Sequence, residues 1–562
     1  MRSVTVLLAL AVIIAGNAIG QEKPGSTTGR VDAIFADWDD PASPGCALGV
    51  IKEGEFIYRR GYGMATLELG VPISSSTVFY IGSTSKQFVA ASILLAEEAG
   101  YLSIDDDIRK YVPEIPDYEG AITIRNLLHH TSGLRDYLTL WNLAGEEIAD
   151  IHEADEALEM IARQKALNFE PGSEYLYSNS GYFMLSVILE RATGKSLREF
   201  AHENIFDPLG MENTHFHDDH THVIEGRALG HLRRQDGSIA LAMSNFAQVG
   251  SGGLYTSVDD LLLWDRDYYE NKLGDGGLID RMLLRGVLTN GDTLSYAAAL
   301  QIGSYKGLRT VAHGGALGGY RAELLRFPDQ RFSVVCLCNL APMNPSGLAR
   351  QVADIYLADQ FEAEPETQVA DEPAEPTAEV EFVTLTESQL RRLAGAYRDL
   401  SDRDIVELSV EGDRLKVQAP GEVFYMSPLS DSHFLVVNAP VKVEVRFERR
   451  DPGARSLMHV DVEGEGQSTF EPIELFKPTG AQLAEYAGAY YSDELDTEWE
   501  LVLRDDTLYL EDADDTLTPT VKDEFTIGSV VITYTRDEAG RITGMTVDAG
   551  RVRGISFTRR ED

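Results

Sequence analysis

An internal repeat constrains the fold of this chain more than any other feature of its sequence. QLRRLAGAY at 389–397 returns as QLAEYAGAY at 482–490, and ELSVEGDRLKV returns as ELVLRDDTLYL, both shifted by 93 residues. Each copy continues in short apolar runs separated by turn residues, a pattern typical of antiparallel strands. The repeat therefore predicts two small all-β modules, barrels or sandwiches, over 383–478 and 479–562.

A change of composition separates these modules from the rest of the chain. DQFEAEPETQVADEPAEPTAEVE, at 359–381, combines acids with three prolines and contains neither Lys nor Arg. Such a stretch favours an extended chain over a helix. We therefore expect a linker over 359–382.

The N-terminus has the pattern of an export signal. MRSVTVLLALAVIIAGNAIG has a positive start at Arg2, a short apolar run, and small residues just before Gln21. The run is short for a membrane-spanning helix, so cleavage after residue 20 is favoured over an uncleaved anchor. The pattern predicts a signal peptide over 1–20 and a periplasmic or secreted mature protein without stable membrane insertion.

Residues 21–358 form the third part and the largest domain. Strand patterns occur near both ends, in CALGVIKEGEFIYRRGYG and again at 296–304, 308–315, 319–327 and 331–339. The region between them is mostly helix and loop. This order predicts an α+β domain: an antiparallel sheet flanked by helices, with an inserted helical subdomain.

Charge and cysteine content limit the possible functions. The formal net charge of −42 argues against nucleic acid and anionic membrane surfaces as partners. Cys46, Cys336 and Cys338 lie in apolar runs, without the spacing of a metal site. Because Cys336 and Cys338 share one strand face, we expect small core residues rather than a disulfide framework.

The stretch FYIGSTSKQFVAASILLAEEAG carries the first chemical signal. Ser83 precedes Lys86 by three residues at the start of a largely apolar helix, so both fall on one helix face. Serine becomes a useful nucleophile when a neighbouring group takes its proton. A capping serine followed by a surface lysine is the alternative, but Lys86 is the sole charge from Thr84 to Ala96.

Two further motifs supply complementary chemistry. Tyr177 and Asn179, in PGSEYLYSNSGY, form a Tyr-x-Asn turn before an apolar helix. A tyrosine near an ammonium can act as general base, and an asparagine amide offers a donor and an acceptor to a substrate. In RTVAHGGALGGY, His313 is followed by Gly314 and Gly315, whose lack of side chains permits close approach to the strand backbone. A structural histidine and ordinary loop packing are the alternatives.

Together, Ser-x-x-Lys, Tyr-Ser-Asn and His-Gly-Gly resemble the penicillin-recognising serine hydrolases. The branch of class C β-lactamases, D-alanyl-D-alanine carboxypeptidases and D-aminopeptidases is the most similar, and NLLHHTSGL, FDPLGM and GSGGLYTSVDDLLLW also look familial. The resemblance covers about residues 30–358. A catalytic domain followed by two small, lipocalin-like β-barrels also resembles the D-aminopeptidase architecture.

The resemblance implies a role for each motif residue. Ser83 would be the acylated nucleophile, with Lys86 and Tyr177 as the proton-transfer pair and Asn179 as a substrate ligand. The strand His313-Gly314-Gly315 would hold the substrate backbone. The backbone N–H groups of Ser83 and Ala316 would stabilise the oxyanion. The family uses no metal and no organic cofactor.

The substrate class follows less directly. The β-lactamases have Lys-Thr-Gly where this chain has His-Gly-Gly, and a neutral imidazole attracts a carboxylate less than an ammonium does. We therefore expect an exported peptidase or amidase for short D-residue-containing peptides, with an esterase and a weak β-lactamase as alternatives. A non-catalytic peptidoglycan or β-lactam binder is the alternative of another class. The oligomeric state stays open.

Overall fold

The computed structural model describes most of the chain. It covers residues 25–147, 149–361, 382–400, 403–419, 422–437, 439, 442–449, 455–462, 466–511 and 515–560. The predicted signal peptide and residues 362–381 of the predicted linker lie outside the described residues. The described residues form two compact units, the first within 25–138 and 146–361 and the second within 139–145 and 382–560.

Short strands and helices alternate over the first part of the chain. Its strands are β1 (Cys46–Lys52), β2 (Glu55–Tyr62), β3 (Met64–Thr66), β4 (Val71–Pro72), β5 (Phe79–Tyr80), β6 (Ile151–His152), β7 (His215–Phe216), β8 (His231–Arg233), β9 (Ile239–Leu241), β10 (Asn245–Phe246), β11 (Leu254–Thr256), β12 (Gln301–Tyr305), β13 (Leu308–Leu317), β14 (Tyr320–Phe327), β15 (Phe332–Cys338) and β16 (Leu340–Ala341). Its helices are α1 (Thr27–Ile34), α2 (Lys86–Glu98), α3 (Ile124–Leu128), α4 (Tyr137–Ala144), α5 (Ala154–Ala162), α6 (Asn179–Thr193), α7 (Leu197–Ala201), α8 (Asp207–Leu209), α9 (Val258–Glu270), α10 (Leu278–Met282) and α11 (Pro345–Tyr356).

A six-stranded antiparallel sheet organises the first unit, in the order β12-β13-β14-β15-β1-β2. The central strands are buried along almost their whole length because α1 and α11 cover one face and α9 packs on β1 and β15. The helical region between β5 and β11 is inserted between the two halves of the sheet. The predicted α+β class with a helical insertion is confirmed.

A buried polar cluster fixes α2 against the sheet. Arg326 of β14 and Asp265 of α9 form an ion pair at 2.9 Å, with both side chains 1% exposed. Gln87 accepts hydrogen bonds from Arg326 and from the indole N–H of Trp264, each at 3.2 Å. Because Gln87 follows Lys86, this cluster sets the position of the first turn of α2.

Two sequence expectations for this unit were wrong. Cys46 and Cys338 form a disulfide, because they are directly opposite each other on the paired strands β1 and β15. Cys336 remains a buried free thiol, as expected. The strand predicted over 296–304 begins only at Gln301, because Ala299 adopts a left-handed conformation with φ 58° that interrupts an extended chain.

The second unit contains the two repeat modules, and both are closed eight-stranded antiparallel barrels. The first is preceded by α12 (Glu387–Arg391) and consists of β17 (Gly395–Asp399), β18 (Ile405–Glu411), β19 (Arg414–Ala419), β20 (Glu422–Pro428), β21 (His433–Val436), β22 (Val443–Glu448), β23 (Leu457–Val462) and β24 (Gly466–Ile473). The second is preceded by α13 (Gly480–Leu483) and consists of β25 (Gly488–Ser492), β26 (Thr497–Arg504), β27 (Thr507–Leu510), β28 (Asp515–Pro519), β29 (Glu524–Ile527), β30 (Val530–Arg536), β31 (Ile542–Ala549) and β32 (Val552–Arg559).

The interiors of the two barrels differ at one equivalent position. Tyr397 pairs with Val406 in the first barrel, and Tyr490 pairs with Trp499 in the second. The first barrel contains an apolar cavity of about 360 Å³, and Val406 is one of the side chains lining it. Trp499 is buried and packs on Phe557 with ring centroids 4.7 Å apart. This position therefore holds a larger side chain in the second barrel than in the first.

None of the helices in the described part of the chain combines the length and the apolar character that a membrane-spanning segment needs.

Candidate active site

The predicted nucleophile and its lysine adjoin at the start of α2. Ser83 lies in a 3-10 turn, Gly82–Ser85, and Lys86 is the first residue of the helix that follows. Lys86 Nζ donates to Ser83 Oγ at 3.0 Å. Lys86 is completely buried, whereas Ser83 is partly exposed. The arrangement presents a hydroxyl that an incoming molecule can reach, with a buried amine behind it.

Two acceptors and two aromatic rings hold the lysine amine. Lys86 Nζ donates to Asn179 Oδ1 at 2.9 Å and to the backbone carbonyl of Ser251. It lies 4.9 Å from the ring centroid of Tyr177 and 5.6 Å from that of Tyr182, over their faces. The fold thereby brings Lys86 of the Ser-x-x-Lys motif together with Tyr177 and Asn179 of the Tyr-x-Asn turn. Ser251 acts through its backbone, so its side-chain identity gave no signal beyond the GSGG stretch in which it lies.

The HHTSGLRD segment holds the Tyr-x-Asn turn at the start of α6. The backbone N–H of Asn179 donates to Asp136 Oδ2 at 2.6 Å, and the backbone N–H of Ser178 donates to His130 Nδ1 at 3.1 Å. The His130 ring packs on the Tyr177 ring with centroids 4.1 Å apart. The sequence analysis gave NLLHHTSGL only as a familial stretch, and it missed His130 within it and Asp136 two residues beyond its end.

A chain of buried hydrogen bonds connects this turn to His313. His130 Nε2 lies 3.2 Å from the Tyr296 hydroxyl, and that hydroxyl lies 2.9 Å from His313 Nε2. His313 Nδ1 lies 2.7 Å from the backbone oxygen of Gly314. The backbone N–H of Ser178 can only donate to His130, and the carbonyl of Gly314 can only accept from His313. These two ends fix the direction of every hydrogen bond between them. His130 donates to Tyr296, Tyr296 donates to His313, and His313 donates to Gly314.

His313 is neutral in this network. Burial, followed by the positive charge of Lys86, lowers the pKa of His313 to about 4. Its ring centroid lies 6.3 Å from that of Tyr177. Tyr296, which fixes His313, lies in SYAAAL and has no motif that could have revealed it. His313 lies within β13 rather than at its end, and at neutral pH it offers an uncharged ring and no cation for a substrate carboxylate.

Strand β13 crosses the nucleophile turn at very close range. A Cβ added to Gly315 would lie 1.9 Å from the Ile81 carbonyl oxygen and 2.9 Å from the backbone N of Ser83. A Cβ added to Gly82 would lie 2.5 Å from the backbone N of Ala316. The backbone N atoms of Ser83 and Ala316 therefore both lie at this crossing. The space that Gly315 provides is filled by the protein's own backbone rather than reserved for a ligand.

The same strand has a free edge beside the turn. β12 pairs with β13 only as far as Ala312, and the described residues place no other strand beside 313–317 on that edge. Gly314 points to the opposite face from its neighbours, where an added Cβ would lie 2.9 Å from Glu323 Oε2. An extended peptide backbone can pair with such an edge.

Potential metal ligands do not converge on this site. Two groups of described residues bring three His, Cys or carboxylate atoms together: Glu146 with Asp150 and His152, and Cys46 with Cys336 and Cys338, of which Cys46 and Cys338 are joined in the disulfide. Neither group contains a residue of the site around Ser83.

Comparison with known proteins identifies relatives of this chain. The model of the beta-lactamase family matches residues 31–358. A D-aminopeptidase of Gluconobacter oxydans is 30% identical over 456 residues, which span 81% of this chain and 80% of the relative. A D-aminopeptidase of Brucella canis is 25% identical over 539 residues, 92% of this chain and 96% of the relative. The octameric penicillin-binding protein homologue from Pyrococcus abyssi shares the fold, with a TM-score of 0.55 at 22% identity over 79% of this chain and 100% of that one.

Proposed function

This chain belongs to the beta-lactamase family and is a serine hydrolase, and from that premise we propose that it is an exported peptidase or amidase that acts on short D-residue-containing peptides through an acyl-enzyme on Ser83. One observation carries the proposal. Lys86, fully buried, donates to Ser83 Oγ at 3.0 Å while lying over the ring of Tyr177. A surface lysine beside a capping serine would have neither the burial nor the aromatic neighbour.

Acylation uses the groups around this hydroxyl. Ser83 Oγ attacks the substrate carbonyl carbon as the proton-transfer pair of Lys86 and Tyr177 takes the hydroxyl proton. The backbone N–H groups of Ser83 and Ala316 donate to the oxyanion. The C–N bond then breaks, and the pair passes that proton to the leaving amine.

Deacylation repeats these steps with water. Water attacks the Ser83 ester, gives its proton to the same pair, and the acid leaves as Ser83 Oγ regains a proton. Asn179 uses its Oδ1 for Lys86, so its Nδ2 group is the part that donates to the substrate.

Three observations support the choice of substrate, and two support the choice of compartment. The free edge at 313–317 suits an extended peptide or amide. The neutral His313 replaces the cation of β-lactamases, which argues against strong β-lactamase activity. The D-aminopeptidase relatives favour D-residues. The N-terminal sequence and the Cys46–Cys338 disulfide support export, because disulfides persist mainly in oxidising compartments.

A labelling experiment tests the nucleophile. A fluorophosphonate probe should label the wild-type protein and the Ser76→Ala control, whose serine is exposed and outside the site. Labelling should disappear in Ser83→Ala and in Lys86→Ala. A folded wild-type protein that does not react with the probe would contradict the enzymatic mechanism and favour the peptidoglycan- or β-lactam-binding alternative.

A substrate panel tests the specificity. D-alanine and L-alanine p-nitroanilides, a p-nitrophenyl acyl ester and a chromogenic cephalosporin should be compared by kcat/KM. We expect the D-alanine amide to be preferred over its L-isomer and the cephalosporin to be the poorest substrate. An L-amide preference, or an ester activity that exceeds every amide activity, would overturn the substrate assignment and leave the nucleophile intact.

A further inference from the structure

The first barrel is packed with side chains at one end. Helix α12 lies at this end, where Leu390 and Leu393 join the core cluster that also contains Leu415, Phe434 and Phe447. None of these five side chains lines the apolar cavity of about 360 Å³ in the same barrel. The proposed catalytic mechanism uses no residue of this barrel.

The cavity lies further along the same strands, away from α12. On β22, Phe447 belongs to the packed core, whereas Val445 and then Val443 line the cavity. On β21, Phe434 is buried in the core, and Val436 lines the cavity. Exposure increases in the same direction, because Val445 is 2% exposed while Val443 and Val436 are partly exposed. The cavity therefore opens at the end of the barrel away from α12.

The lining of the cavity is entirely apolar. Among the described residues, it consists of valine, leucine, phenylalanine, methionine and alanine side chains, without a polar or charged one. Apolar cavities stay dry and bind apolar molecules, because a water molecule inside them would lack hydrogen-bond partners. Pockets for polar ligands contain a few well-placed polar groups. This cavity therefore selects the hydrocarbon part of a ligand and leaves any polar group outside.

The second barrel has larger side chains at two equivalent positions. Val406 and Val417 line the cavity of the first barrel. Their equivalents, 93 residues later in the repeat, are Trp499 and Leu510. The same eight-stranded fold can thus be built with larger residues at these positions. The open space in the first barrel is therefore a property of its own sequence and not a requirement of the fold.

We propose that this cavity binds one single-chain amphiphile, with a hydrocarbon chain of about 10–14 carbons inside the barrel and the polar head in solvent. A cavity of about 150 Å³ holds the six carbons of benzene, so the 360 Å³ available here holds about 14 carbons. The lining on β23 reaches from Met458 to Val462, about 13 Å of strand, which favours a chain over a compact ring. A two-chain lipid is disfavoured, because its second chain would remain in water.

A chain-length series tests this inference on the full chain. Binding of n-alkyl maltosides, from hexyl to hexadecyl and each below its critical micelle concentration, should be measured by calorimetry. Each added methylene should raise the affinity about fourfold until the chain fills the cavity. The affinity should then level off at about 10–14 carbons. An affinity that continues to rise up to the hexadecyl chain, or no binding of any member, would overturn the proposal.

A comparison at constant carbon number tests the shape of the ligand. 1-Decanol and 1-adamantanol both have ten carbons, as an extended chain in the first and as a compact cage in the second. We expect 1-decanol to bind more tightly. Tighter binding of 1-adamantanol would overturn the assignment to a chain.

Two substitutions in the lining should shorten the chain that fits. Val460→Phe adds about four carbons to the lining and Val406→Trp adds about seven heavy atoms, so the affinity should level off at chains shorter by about four and about seven carbons. Val423→Trp is the matched control, because Val423 is 37% exposed and alternates with the lining residue Phe424. It should bind like the wild type. An unchanged length dependence in Val460→Phe with a wild-type thermal melt would contradict the assignment of the cavity.

Flotation with vesicles of dioleoylphosphatidylcholine distinguishes a free amphiphile from a bilayer lipid. The wild-type protein should remain in the soluble fraction. Co-flotation of the wild type that is lost in Val406→Trp would assign the cavity to a bilayer lipid and overturn the single-chain proposal. Fluorophosphonate labelling of Ser83 should be the same in Val406→Trp as in the wild type, so this proposal and the proposed function fail independently.

Discussion

Removal of one hydroxyl group, in Tyr296→Phe, tests the buried hydrogen-bond chain behind the active site. The Tyr296 hydroxyl joins His130, at 3.2 Å, to His313, at 2.9 Å. Its loss removes the hydrogen bonds that this hydroxyl makes to the two buried histidines. An unpaired buried polar group costs about 1–3 kcal/mol, so we expect the free energy of unfolding to fall by about 2–4 kcal/mol.

Activity should respond more specifically than stability. His313 begins the strand segment that carries Ala316 and the proposed substrate edge, and Tyr296 fixes the orientation of its ring. We expect kcat/KM for the preferred amide to fall at least about tenfold, because a small displacement of a substrate-positioning group is costly to the rate. Fluorophosphonate labelling of Ser83 should continue, because Lys86 keeps its contacts.

A matched variant separates the two effects. Tyr62 is as deeply buried, and its hydroxyl donates to Asp32 at 2.9 Å, away from the site. Tyr62→Phe should reduce the free energy of unfolding by a smaller amount, because Asp32 is partly exposed and keeps Tyr58 and Arg60 as partners, and it should leave kcat/KM unchanged. Urea denaturation and steady-state kinetics of both variants give the answer. Wild-type stability together with wild-type kcat/KM in Tyr296→Phe would refute the assignment of this chain of hydrogen bonds.

Three further predictions concern other parts of the molecule. Gly315→Ala should destabilise the first unit by at least about 2 kcal/mol and slow fluorophosphonate labelling, because its Cβ would lie 1.9 Å from a backbone oxygen. Gly303→Ala is the control: its nearest contact would be a side chain at 3.3 Å, so it should have little effect on stability or labelling. The pKa of His313 is lowered from 6.5 to about 4, so unfolding takes up a proton below pH 6.5. The free energy of unfolding should therefore fall by about 3 kcal/mol between pH 6.5 and pH 4 in stepped urea titrations, and His313→Gln should flatten that part of the curve. Val406→Trp should stabilise the first barrel by about 0.5–2 kcal/mol in thermal melts. The new side chain would fill part of the 360 Å³ cavity, as Trp499 does at the equivalent position of the second barrel. A lower melting temperature would show that the cavity cannot accept it.

The parts of the site that sequence could predict are local or carry a motif. Ser83 and Lys86 are three residues apart at a helix start, so their contact follows from helix geometry alone. Tyr177 and Asn179 are adjacent to a helix start in the same way, and the family resemblance connected them to the first pair. The two barrels followed from a repeat that is visible without any structure.

The parts that sequence could not predict depend on long-range topology. The contact between His130 and Tyr296 joins positions 166 residues apart with no shared pattern. The Cys46–Cys338 disulfide required the knowledge that β1 lies beside β15, and reasoning on the spacing of Cys336 and Cys338 alone led to the wrong expectation. The Ser251 carbonyl belongs to the backbone, which any residue type supplies.

The crossing of two glycine-containing segments has a consequence for how this enzyme can be altered. A side chain at Gly82 or at Gly315 would collide with the main chain of the other segment. Neither glycine can therefore be replaced while the other segment keeps its position. A library that randomises either one will return mostly inactive clones. Active variants would require both segments to be exchanged together, as a pair taken from one related protein.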